Sequence, residues 1–164
     1  MRTSNDPSCL KKILVAIDFS AYSNDAVEYA ATLAKRFGAE IVVVHVIEAM
    51  SYSVTDTFTV VDHLGALEKT AGALLENLSA RLAERGIAVK TRLASGVPAD
   101  EILKSAEAEN ADLIVMGTRG RTGVSHLVLG SVAEKVVRLA RRPVLTVRDR
   151  QTSTDRPIPS VTIY

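Results

Sequence analysis

The chain is poor in the features that most directly announce a function. It has one cysteine, Cys9, in 164 residues, which excludes an internal disulfide and a multi-cysteine metal centre. A lone thiol in a polar N-terminal stretch fits a reducing compartment. Charge of one sign is missing too: Lys plus Arg number 20 and Asp plus Glu 19. A dedicated nucleic-acid binder usually carries a basic excess or stripe. The basic cluster Arg138 to Arg142 reads instead as the cationic end of a helix. No apolar run approaches the ~18–20 residues of a membrane span. The first such run, Ile13 to Ile17, is short and abuts Asp18, unlike a secretory signal. These absences lead to the expectation of a soluble, cytoplasmic protein that binds neither nucleic acid nor membrane.

Catalytic signatures are missing as well. His45, His63 and His126 lack the i, i+4 spacing of a helical metal pair, and Leu127 stands where a Gly-x-Ser-x-Gly elbow around Ser125 needs glycine. What is present is alternation. Ile13–Ile17, Ile41–Ile47 and Leu113–Met116 are continuous apolar runs, suited to strands buried on both faces. Residues 87–94 alternate, with Val89, Thr91 and Leu93 opposite Lys90 and Arg92, as a sheet edge does. Helical spacing marks 20–37, 64–85, 98–109 and 132–140. Residues 143–147 form a last strand, 48–61 carry no clear pattern, and 161–164 can add a strand. The pattern predicts an α/β domain over 12–148, between a polar segment 1–11 and a tail 149–164. Its core is an open five-stranded parallel sheet with helices on both faces, because parallel strands need crossover connections.

The densest information lies between the fourth strand and the last helix. Gly117, two residues, Gly120, nine residues, then Gly130 and Ser131 join them. Glycines before a helix start let backbone amides approach an anion, and the helix end adds unpaired N–H donors. No Gly-Lys-Ser/Thr closes the loop, so it is not a Walker A motif; the dinucleotide fingerprint would follow the first strand. A glycine-rich turn that merely redirects the chain remains the alternative. In a sheet of order 3-2-1-4-5 ligands bind where the order reverses, so Asp18 and Gly117 should face one another. Asp18 suits ribose hydroxyls, or magnesium held through phosphates, or simply the turn into the first helix. Ser131 suits phosphate while also capping its helix. Arg119 and Arg121 can neutralise phosphate charge, Thr118 and Thr122 can donate hydroxyls, and His126 lies in the same loop.

The segments Lys12 to Ser20, Val42 to Val46, Asp112 to Gly117, Gly130 to Val132 and Arg142 to Val147 resemble the universal stress protein family, in its ATP-binding branch, over residues 11–148. That resemblance implies a Rossmann-like fold of the adenine nucleotide alpha hydrolase type, strand order 3-2-1-4-5, with ATP in the crevice. By position, Ala16 and Asp18 would line the adenosine and Val46 would meet adenine through its backbone. Met116 and Gly117 would flank the ribose, and Gly120, Gly130, Ser131 and Val132 would surround the phosphates. Ala16 stands where some ATP-binding relatives have proline. The resemblance also implies a homodimer paired along 143–147. With no loop lysine and no evident base, the expectation is a stress-response regulator that is at most a slow ATPase. The alternatives are an adenylyl-transferring or ATP-hydrolysing enzyme, and an interaction module with an empty crevice. A phospho-acceptor receiver domain is disfavoured, since Asp18 has no adjacent carboxylate.

Overall fold

The computed structural model describes residues 10–48, 57–118, 129–148 and 161–163. In chain order these form β1 (Lys12–Ile17), α1 (Ala21–Phe37), β2 (Glu40–Ile47), α2 (Thr57–Glu84), β3 (Val89–Ser95) and α3 (Pro98–Ala108). Then come β4 (Leu113–Gly117), α4 (Ser131–Leu139), β5 (Val144–Val147) and β6 (Val161–Ile163). One sheet takes the order β3-β2-β1-β4-β5-β6. Its first five strands are mutually parallel, giving the expected 3-2-1-4-5 arrangement, and β6 adds antiparallel to β5.

The continuous apolar runs are central because each of their faces meets a helix layer. Ile13, Val15, Ile41, Val43, Val115 and Leu145 pack with Ala26, Ala30 and Ala34 of α1 and Leu75 and Leu82 of α2. On the other face Leu14, Ala16, Val44, Ile114 and Met116 pack with Ala99, Ile102 and Ala106 of α3 and Ala133 and Val136 of α4. Each large aliphatic side chain buried this way contributes roughly 1.5–3 kcal/mol. Helix α1 is bounded by its own chemistry. The Ser20 hydroxyl accepts from the Ser23 amide at 3.3 Å, Lys35 and Arg36 sit in the last turn, and Gly38 closes it at φ 67°.

Two features differ from the sequence reading. Helix α2 begins at Thr57, so residues 57–61 of the unpatterned segment are helical. Its 28 residues extend about 42 Å, whereas the eight of β2 rise about 26 Å. The excess overhangs the sheet: residues 65–70 are exposed, and burial begins at Ala71. The second difference is at the opposite margin. Residues 143–147 were expected to pair with a second copy, and the strand that 161–164 were expected to add lies along that same edge, pairing Leu145 with Ile163, Thr146 with Thr162 and Val147 with Val161.

Candidate functional site

Strand β1 leads to α1 on one face of the sheet, while its neighbour β4 leads to α4 on the other. The strand order reverses between β1 and β4, and in open parallel sheets that is where ligands bind, in the crevice outside the strands' C-terminal ends.

The β1 side of this crevice is a tight turn. The Asp18 carboxylate accepts at Oδ1 from the Ser20 amide at 3.0 Å and the Ser20 hydroxyl at 2.5 Å. The Ser23 hydroxyl in turn donates to the Ser20 carbonyl at 2.9 Å. Asp18 thus fills the turn-acceptor role foreseen for it, and a ligand would meet its other oxygen, Oδ2. Phe19 adopts φ 61°, a left-handed conformation uncommon outside glycine. Its ring lies 4.5 Å, centroid to centroid, from that of His45. His45 Nδ1 is 2.9 Å from the Ile17 carbonyl oxygen; because a carbonyl only accepts, Nδ1 carries the hydrogen. The Phe19–His45 contact was not foreseen. Its signal was a histidine at the end of a β-branched strand, level in register with Ile17.

The floor is apolar. Ala16 is level with Val44 on one side and Met116 on the other. Ala16, Met116, Val46, Val132 and Leu129 share one cluster on the α3/α4 face. Four residues chosen from sequence therefore meet in space, and Leu129 joins them unforeseen. The only hint of it was an apolar side chain directly before Gly130.

The far wall is the start of α4. Gly130 donates from its amide to the Thr118 carbonyl at 2.8 Å, and Thr118 donates to Val147 at 3.0 Å. Both feet of the loop thus stand together at the end of β4, beside Gly117. Gly130, not Ser131, occupies the N-cap position, and no side chain caps the helix. The expectation that Ser131 caps it is corrected: Ser131 is the first helical residue, exposed, whereas a capping residue precedes the helical dihedrals. Gly130 has φ −59° and ψ 152°, open to any residue. What its glycine supplies is the absence of a Cβ beside the first helical amides, which keep a partial positive charge.

Arg119, Gly120, Arg121, Thr122 and His126 lie outside the described residues. Among the described residues no three His, Cys, Asp or Glu side chains converge as a metal site. The donor set around Asp18 therefore suits a divalent cation only where phosphate oxygens supply most of its ligands. A hollow lined by Leu103, Ala106, Ile114, Leu139 and Arg142 sits toward the opposite end of the sheet and involves none of these groups.

The universal stress protein family model matches residues 10–148. This chain belongs to that family. Universal stress protein YxiE of Bacillus subtilis is 40% identical over 145 residues, a match spanning 84% of this chain and 98% of YxiE. The solved structure of MJ0577, a universal stress protein of Methanocaldococcus jannaschii, superposes with a TM-score of 0.81 at 31% identity, covering 87% of this chain and 99% of that one. A universal stress protein from Archaeoglobus fulgidus, solved in complex with dAMP, shares the fold at 24% identity, with a TM-score of 0.59 over 83% and 96% of the two chains. In this universal stress protein the matched span holds every candidate from Ala16 to Val132 and ends before β6.

Proposed function

We propose that this universal stress protein binds an adenine nucleotide, specifically ATP, at the C-terminal end of the sheet. It serves as a cytoplasmic, homodimeric stress-response regulator in which the nucleotide is a regulatory or structural ligand, hydrolysed slowly or not at all. One observation carries the reading. The uncapped start of α4 stands across an apolar floor, Ala16 and Met116, from the Asp18 turn. An anion suits the first wall, a flat aromatic base suits the floor, and hydroxyls or a cation suit the carboxylate. The dAMP carried by the Archaeoglobus fulgidus fold relative is of the same ligand class.

In this reading adenosine lies against Ala16, Asp18 and Val46, and ribose beside Met116 and Gly117. Phosphates meet Gly120, Gly130, Ser131 and Val132, with Arg119 and Arg121 adding charge. Magnesium, where present, is held by phosphate oxygens with Asp18 Oδ2. The dimer pairs along 143–147.

Native mass spectrometry of freshly purified protein tests the ligand, and titration calorimetry with ATP tests the site. Gly130→Val keeps an allowed backbone but sets a branched side chain over the helix start. ATP affinity should fall about 100-fold or more with the circular dichroism spectrum unchanged. Undiminished affinity in that folded variant would remove the phosphate cradle. Pyrophosphate release in the presence of an acceptor would move the reading to adenylyl transfer.

A further inference from the structure

The outer edge of β5 offers one row of main-chain donors and acceptors, and an edge strand presents such a row as a template for another strand. In this chain β6 uses it, through Leu145–Ile163, Thr146–Thr162 and Val147–Val161. The seat is short. Strand β6 has three residues, so its ladder rests on few main-chain bonds. Strand β5 offers four residues, Val144–Val147, all buried. Beneath β6 is therefore a row of main-chain donors and acceptors able to accept a second copy of the same strand. A two-fold axis would make that pairing reciprocal. The match to YxiE covers 98% of that relative with only 84% of this chain. The tail strand lies outside the span that the family model matches.

We propose that β6 is a competitive cap: it and a second copy of the chain contend for the outer edge of β5, so the tail sets how readily the protein self-associates. This rests on the homodimer reading above. The two pairings exclude each other, because one row of amides and carbonyls cannot serve two strands at once. A cap on a short ladder, tethered by residues 149–160, stays at high local concentration while yielding to a partner as protein concentration rises.

Two full-length variants test the cap. Thr162→Pro removes a main-chain donor from the middle of β6 and should unseat it. Thr146→Cys with Thr162→Cys, in a Cys9→Ala background, should lock it on when oxidised. Sedimentation velocity over a concentration series reads the result. Thr162→Pro should dimerise about tenfold more tightly than the parent, while the oxidised pair stays monomeric and regains parental behaviour on reduction. Equal dimerisation constants in the parent and both variants would overturn the cap and leave the homodimer standing. Weaker dimerisation by Thr162→Pro would overturn it in favour of β6 exchange between copies. A monomer in every case, at all concentrations, would remove the homodimer reading itself.

Discussion

The two margins of the sheet solve the same problem by opposite means. At β3 the edge defends itself: Lys90 and Arg92 alternate with Val89, Thr91 and Leu93, and both cations reach Glu109 at the end of α3. Lys90 Nζ lies 2.8 Å and Arg92 Nη1 3.4 Å from its carboxylate oxygens. At β5 nothing in the strand is charged, and Val144, Leu145, Thr146 and Val147 are all buried. Protection comes from elsewhere in the chain, through β6. An edge guarded by its own side chains stays an edge under all conditions. One guarded by a distant segment is closed only while that segment remains in place.

The largest effect should come from forcing the first solution onto the second margin. Leu145→Lys places an ammonium in the cluster on the α1 face, where Leu145 is 3% exposed. Burying a lone charge costs several kcal/mol, enough to unfold many domains of about 5–15 kcal/mol total stability. Urea denaturation should find the variant unfolded or nearly so, and an unchanged midpoint would mean that β5 is not a core strand. A charge at Val144 or Leu145 would therefore report on folding rather than on pairing along this edge.

Next comes Glu109→Ala, which leaves Lys90 and Arg92 side by side without their shared carboxylate. Both cations are well exposed, so water screens much of the loss, and about 1–2 kcal/mol is expected. A urea midpoint shift of that size, with the denaturant slope unchanged, would bear this out. The same carboxylate gives the β3 margin a pH signature. The hydrogen bond from Lys90 holds the Glu109 carboxyl below its ordinary 4.5, outweighing the opposing effect of burial. Its contribution to stability is complete above the unfolded pKa and is lost as pH falls through the lowered folded value. Between pH ~7 and ~3.5 the parent should lose more stability than Glu109→Gln does; equal losses would assign the acid sensitivity elsewhere. Smallest of all, Lys90→Ala should cost ~0.5 kcal/mol or less, since its side chain is 54% exposed. A larger value would make the β3 ladder a structural element rather than a guard.

Sequence patterning was most legible where burial is two-sided. Ile13 to Ile17, Ile41 to Ile47 and Leu113 to Met116 had to be apolar throughout because helices cover both faces, and the parallel sheet followed from the alternation of elements, while its order came with the family resemblance. It was least legible where burial does not constrain the chain. Residues 57–61 are helical in α2 yet show no helical stripe in the sequence. Strand β6 was legible only as a short apolar run, since three residues show no period that would say which edge it joins. At the site, Ala16, Val46, Met116 and Val132 were named through the family resemblance, and all four fall in one apolar cluster. The local role of Asp18 could not be separated from a ligand role, since one carboxylate serves both. The uncapped start of α4 was also hidden: Ser131 has the right chemistry for a cap but stands one position too late.

The hydrogen bond between Gly130 and Thr118 has a further consequence. It fastens the two feet of the intervening segment at a single point, so α4 takes its position from β4 rather than from the residues between them. A change of length between these two feet would leave that bond, and the seat of α4 on β4, in place. Selectivity for what enters the crevice can thus diversify while the scaffold beneath it stays fixed.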